Sequence, residues 1–475
     1  MAKREDLEFQ EVSQSVKYPR QLDTPETTIR TSAMAAHRPE VGRTRRDLGP
    51  AICLRTHSRI ALRIRGVARS YDERMAQHLL GNGRGREGEV ASIDSTAHTT
   101  GSGHQDIVGS LKSLMIDHSL PLWSGEGWDP AAGGFVERLD IEGRADRAEP
   151  RRVRVQARQI YSFAKAAQIG WYPEGREIAM RGLDYLLAKA KSPDGRPGFV
   201  HLLGPDGSTI NAMRDTYDHA FVLLALSTVY QLSNDAQVRG EIESLLAFID
   251  RDLRSPDGGF IEGIPATMPR RQNPQMHMLE ALIATFDATR DSVFQNRAGD
   301  LYGLFVANLY DPQRQVLGEY FEEDWSRIEP VSVEPGHQAE WVWLLRGFER
   351  ITGCPTARHR SQLLNSALRY RDDVTGCLFD EGDADGNIRK FTRRCWPQTE
   401  IAKAWIAQAE VEEQGAADEA REALARLHRH YLRHPVMGGW YDQFDRDGRS
   451  LVDFIPASSF YHILCAIVEA ERVLG

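Results

Sequence analysis

Cysteine is scarce in this chain. Its five copies (Cys53, Cys354, Cys377, Cys395 and Cys465) are scattered through 475 residues without a CxxC pair. Neither a disulfide framework nor a structural zinc site is indicated, and a reduced, cytoplasmic setting is the default expectation. Long apolar runs are missing too: nothing approaches the ~20 residues of a membrane span, and the start MAKREDLEFQ has no signal-peptide core. Positive charge is not in excess. A formal net charge of −9 gives no invitation to nucleic acid or an anionic membrane. The sequence has no H-E-x-x-H, no P-loop, no strand-to-helix G-x-G-x-x-G and no G-x-S-x-G. Metal: none, cofactor: none and covalent serine nucleophile: none are therefore the expectations. What remains is an ordinary globular composition, 41% hydrophobic and 27% charged, long enough to bury a core without staples.

Residues 1–103 read differently from the rest. They hold 17 Lys/Arg against 13 Asp/Glu, with arginines recurring from Arg43 to Arg69, then GNGRGREG and the Ser/Thr-rich ASIDSTAHTTGSG. No run there builds a core, so an Arg-rich, disordered extension is expected, with a basic recruiting arm as the functional alternative.

From residue 104 to 475 a period appears. A Gly-plus-aromatic turn element recurs six times, roughly 60 residues apart: AGGFVERLDIEGR (132–144), GRPGFVHLLGPDG (195–207), DGGFIEGIP (257–265), VLGEYFEEDW (316–325), GCLFDEGDADGN (376–387) and GGWYDQFDRDGR (438–449). Each reads as a short β-hairpin. Between them lie two helical patterns per period, one mixed, such as REIAMRGLDYLLAKAK, and one apolar on more than one side, such as HAFVLLALSTVYQL. Six such units closing on themselves predict an all-α toroid of twelve helices in two rings, with an open solenoid as the alternative.

The starts of the apolar helices gather the polar chemistry. In EPGHQAEWVW, His337 and Glu340 share one helix face just after the break at Pro335-Gly336. NPQMHMLEAL offers His277 and Glu280 sixty residues earlier, and WPQTEIAKAW offers Pro397 and Glu400 sixty later, so the three segments read as one phase. Other helix starts supply Gln156, Arg158 and Tyr161; Tyr217, Asp218 and His219; Asn273; Trp396 and Gln398; and Ser458, Tyr461 and His462. Imidazoles, carboxylates and amides beside aromatics suit a polyhydroxylated ligand, with aromatic faces on C–H surfaces and polar groups on hydroxyls. The bland readings are satisfied core histidines and first-turn acids favoured by the helix dipole. Taken as chemistry, the set needs only histidine and carboxylate acid–base catalysis.

Five ordered motifs carry a resemblance: QAR with a following aromatic (156–161), NPxMHxxEA (273–281), PGHxxEW (335–341), WPQTE (396–400) and PASxxYH (456–462). On these, residues 104–475 resemble the N-acylglucosamine 2-epimerase family, which includes mannose isomerases and cellobiose 2-epimerases. The resemblance implies an (α/α)6 barrel. It implies that His337 and His462 are the catalytic pair acting through a cis-enediol of an open-chain sugar, His462 on the C2 proton and His337 as partner. It further implies Arg158 on the sugar oxygen, Glu340 beside His337, His277 near the ring, and Tyr217, Asn273, Glu280, Trp396 and Gln398 lining the cleft. A mannose-to-fructose type aldose–ketose isomerase is the leading expectation, acting on a free sugar as a monomer or homodimer. A 2-epimerase on N-acylglucosamine or cellobiose is next; a glycoside hydrolase using Glu280, Glu340 and Glu400, or a non-catalytic sugar binder, would leave the histidines idle.

Overall fold

The computed structural model describes residues 106–475; the basic stretch 1–103 lies outside the described residues. In chain order the helices are α1 (Ile107–Leu114, prolonged through Met115–Ser119 and Leu120–Gly125), α2 (Val153–Gln168), α3 (Gly175–Lys189), α4 (Thr216–Ser233), α5 (Ala236–Phe248) and α6 (Gln272–Thr289). They continue with α7 (Val293–Leu304), α8 (Pro335–Thr352), α9 (Ala357–Leu368), α10 (Cys395–Ala409), α11 (Ala416–Leu427) and α12 (Ser458–Leu474). Even-numbered helices form an inner ring. Each packs on the next, and α12 returns to α2. Odd-numbered helices lie outside, each against its inner neighbour, with α1 on α12. Among the described residues this is the closed twelve-helix barrel the period predicts.

Composition explains the two kinds of helix. An inner helix has neighbours on both sides, an outer helix behind and the barrel axis in front. It is therefore apolar nearly all round, as in α4, where Ala220 to Leu226 are buried without a break. Outer helices bury one stripe, as Ala420, Leu424 and Leu427 do in α11. Local signals fix the ends. The Asp215 carboxylate caps α4 by accepting from the Asp218 N–H, Pro335 opens α8, and Gly353 closes it at φ +72°.

The Gly-aromatic elements do more than turn back on themselves. Two continue into internal ladders, each with a register shift, Leu202–Leu203 with Thr209–Asn211 and Glu381–Asp383 with Ile388–Lys390. Most of their pairing, however, runs between repeats. The strands entering α2, α4, α6, α8 and α10 pair antiparallel with the element of the following repeat. The strand Phe454–Pro456 entering α12 pairs with Arg138–Asp140 of the first repeat, which closes the ring. Trp123, Trp440 and Phe460 stack at the same seam, 5.4–6.0 Å apart.

A repeated amide staple sets the register of each inner helix. The Gln156 carboxamide accepts from the Phe135 N–H and donates to its C=O, both at 2.8 Å. Gln275 does the same for Phe260, Gln338 for Leu317 and Gln398 for Leu378. In the second repeat His219 takes this place, its Nε2 accepting from the Phe199 N–H at 2.9 Å. In the sixth, Phe460 stacks on Trp440 instead. Aligning on the staple corrects the phase expected from sequence. Gln275 matches Gln338, so His277 is equivalent to Glu340 rather than to His337, and Glu280 lies one turn deeper. Gln156→Ala leaves a buried N–H and C=O without partners and should cost about 2–4 kcal/mol, read as a lower denaturant midpoint. Gln156→His should cost less.

Candidate active site

Counting two residues on from the staple brings one side chain per inner helix onto the axis: Arg158, Phe221, His277, Glu340, Glu400 and His462. Contacts run around this layer. The Arg158 guanidinium lies 4.2 Å from the Phe221 ring centre, Phe221 and His277 are 4.5 Å apart, and His277 Nε2 is 4.0 Å from Glu340 Oε1. One acceptor or donor atom from each of Glu340, Glu400 and His462 falls within 4.8 Å of the others. One turn deeper, Glu280 and Lys403 form the floor; one turn nearer the mouth are Tyr217, Asn273 and Trp396. Gly336 belongs to that upper level because a Cβ there would come within 2.5 Å of the Trp396 ring. Its absence lets the indole lie against the start of α8.

The two histidines expected to act as a pair flank that indole. His337 is 5.0 Å and His462 5.7 Å from Trp396, centroid to centroid. Each engages Nδ1 with a carboxylate, His337 with Glu319 at 2.9 Å and His462 with Glu400 at 2.8 Å. Neither Nε2 has a hydrogen-bond partner among the described residues. Their electrostatic settings differ. Burial disfavours charge on both, but at His337 the carboxylates of Glu319 and Glu334 outweigh it and raise the imidazole to about 9. At His462 burial dominates over Glu400, with Arg158 and Lys403 adding to it, and the value falls to about 4. Near neutral pH one ring is a cation and the other a neutral base.

The floor keeps the carboxylates in distinct states. Lys403, with no exposed surface, places Nζ 2.7 Å from Glu400 Oε2 and 3.8 Å from the Trp343 ring centre. Burial opposes ionisation of Glu400, but Lys403 and His462 outweigh it and hold the carboxyl below its usual range. Glu280 is likewise held low against burial by His277 Nδ1 at 2.9 Å, by Lys403 and by the Tyr461 hydroxyl, which donates to it. Glu340 goes the other way: burial and the neighbouring Glu400 push it well up. His277 is lowered to about 4 by burial despite Glu280.

The remaining expectations divide. Arg158 donates to the Tyr217 hydroxyl at 2.7 Å, so both belong to the site. Asn273 is half-buried, and its Oδ1 has no partner. Gln398 does not present a free amide. Besides its staple, its Nε2 donates to the Arg394 carbonyl, a role in the fold rather than the cleft. Trp341 is core, donating to Gln272 and stacking on Phe305. Sequence reasoning missed Glu319 and Lys403. The signal for Glu319 was its place among the hairpin acids Glu137, Glu262 and Asp380; that for Lys403 was a lysine inside the apolar run EIAKAWIA. The His/carboxylate groups that geometry would offer to a cation, His277–Glu280–Glu340, Glu319–Glu334–His337 and Glu340–Glu400–His462, are already engaged internally, with Lys403 on Glu400 and Arg394 on Glu334.

The fold is an (α/α)6 barrel, and a cluster of histidines and carboxylates lies on its axis. A family model described as N-acylglucosamine 2-epimerase (GlcNAc 2-epimerase) matches residues 133–466, and the chain belongs to that family. It is an enzyme of the sugar isomerase and epimerase class. It is 36% identical over 384 residues to the mannose-6-phosphate isomerase of Rhizobium meliloti, covering 77% of this chain and 97% of the relative. Identity to the D-mannose isomerase of Marinomonas mediterranea is 25%, covering 72% and 92%. The structure of cellobiose 2-epimerase from Spirochaeta thermophila superposes with a TM-score of 0.70 at 23% identity, covering 78% of this chain and 97% of that one, a likeness of fold.

Removing Lys403 tests the floor. Lys403→Met leaves the Glu400 carboxylate buried without its cation and should cost about 3–5 kcal/mol in denaturant unfolding, most of it recovered when Glu400→Gln is added.

Proposed function

We propose that this protein interconverts an aldose and a ketose, mannose and fructose in type, by proton transfer between the sugar and two histidines, one protonated and one neutral. The observation that carries the reading is the pair itself: His337 and His462 on either side of Trp396, each with Nδ1 on a carboxylate and Nε2 open.

An open-chain aldose lies with C1 and C2 beneath the indole. His462 Nε2 removes the C2 proton; the C–H pair becomes the C1=C2 bond, and the C1 carbonyl electrons move to O1. Arg158 stabilises the charge that develops on oxygen, and the His337 imidazolium supplies O1 with a proton, giving the cis-enediol. Glu400 accepts the Nδ1–H of His462, which fixes the tautomer and steadies the imidazolium as it forms. Return of the proton from His462 to C1, with the now neutral His337 accepting the O2 proton, gives the ketose and restores both rings. Return to the opposite face of C2 would give the epimer. Glycoside hydrolysis finds less support, because Glu400 is tied to Lys403 and His462 and Glu340 is sandwiched between other acids.

Relatives named for mannose 6-phosphate and for mannose, at 36% and 25% identity, support a mannose-type sugar over cellobiose, for which relatives at 24% and 20% are named. No helix among the described residues is long and apolar enough to cross a membrane. A cytoplasmic setting is part of the proposal, in keeping with the free thiols of Cys354, Cys377, Cys395 and Cys465.

Incubation in D2O with mannose, N-acetylglucosamine and cellobiose, followed by NMR, is the test. Fructose from mannose with deuterium incorporated, lost in His462→Ala, is expected; an epimer without ketose would move the assignment to epimerase, and release of glucose from cellobiose without exchange would overturn it. The pH dependence has a definite sign. His462 must be neutral and His337 protonated, so kcat/KM should fall as pH drops towards about 4 and as it rises through about 9.

A further inference from the structure

The six-fold repetition supplies an internal control for the surroundings of His337. In three repeats an acid of the Gly-aromatic element receives both the backbone N–H and the guanidinium of an arginine at the entrance to the inner helix. Glu137 does this for Arg152, Glu262 for Arg271 and Asp380 for Arg394. The fourth repeat keeps the acid, Glu319, and its bond from the backbone N–H, here at 3.3 Å. The residue in the arginine's place is Glu334. With no guanidinium to receive, Glu319 Oε2 accepts from His337 Nδ1 at 2.9 Å and from Gln272 Nε2 at 3.1 Å. Glu334 Oε2 approaches His337 Nδ1 to 3.9 Å, and the same oxygen is held by Arg394 from the next repeat at 3.2 Å.

We infer that Glu319, freed by Glu334 from its usual guanidinium, is the positioning residue that aims His337 Nε2 into the cleft and supplies the counter-charge for its acid form. Neither glutamate touches substrate; both act through the imidazole. The other charged groups facing His337 are Glu340 one turn on in α8 and His277 across the axis from α6. Glu340 also raises His337, though less than Glu319 and Glu334 do, and burial keeps His277 neutral near pH 7, so the two glutamates are the main counter-charges. The inference rests on His337 being the acid of the proposed isomerisation.

The experiment pairs a titration with a rate. In full-length protein carrying 13C-histidine, the His337 resonance is assigned with His337→Gln and followed against pH, beside the alkaline limb of kcat/KM for mannose. Wild-type His337 should titrate near 9. Glu319→Gln removes the charge and leaves one acceptor oxygen where the carboxylate offers two, Oε1 to the Glu334 N–H and Oε2 to Gln272 and His337. Its imidazole should titrate closer to the ordinary histidine range, with the alkaline limb moving alongside. Glu319→Asp should restore most of the wild-type behaviour, and Glu334→Gln should shift it less and in the same direction. An unmoved titration in a Glu319→Gln protein of wild-type melting temperature would overturn the inference. A shifted titration in a protein inert towards every sugar would sustain it and overturn the isomerase reading instead.

Discussion

Closing six helix pairs into a ring forces polar groups on the axis to live without water. Every inner helix is flanked on both sides and backed by an outer one, so its side chains at the axis are largely shut off from solvent. Arg158, His277, Glu340, Glu400 and His462 are all at least nine-tenths buried at one level of that axis, with Glu280 and Lys403 beneath. Buried charge persists only when paired or neutralised. The pairings therefore bias which groups are ionised: Lys403 favours the charged form of Glu400, Glu400 pushes Glu340 towards its protonated form, and Tyr461 with His277 satisfies Glu280.

The same constraint separates the two histidines. Both lose solvent, which alone would make both neutral. His462 faces one carboxylate already neutralised by Lys403, and it stays neutral. His337 sits at the rim against two carboxylates, one of them standing where other repeats have an arginine, and it holds a proton. Acid and base chemistry at a single pH follows from a departure in one repeat rather than from different residue types.

Much of this was legible in sequence, and the failures have physical causes. Periodic Gly-aromatic turns gave the repeat count, and apolar patterns of two kinds gave the two rings, because helix burial writes itself into composition. Helix starts gave Arg158, His277, His337, Glu340 and His462 because polar residues at the head of an apolar helix have few other reasons to be there. The phase of His277 was misplaced by one turn: an arithmetic spacing of sixty took no account of Gln275, Gln338 and Gln398, whose amides clamp the hairpins and set the true register. Gln398 looked like a ligand-binding amide for the same reason. Glu319 and Lys403 went unseen because each works across elements distant in the chain, Glu319 on His337 and Lys403 with Glu400 beneath His462. No local pattern announces such a contact; the repeat alignment does, once the staple is known.

The reading stands or falls on whether a base removes the proton at C2. Mannose deuterated at C2, compared with ordinary mannose, addresses that step alone. Conversion should slow several-fold, with part of the deuterium lost to solvent and the remainder at C1 of fructose. Full transfer of the deuterium to C1 of fructose, with none exchanged into solvent at any stage of conversion, would mark a direct hydride shift and contradict the account.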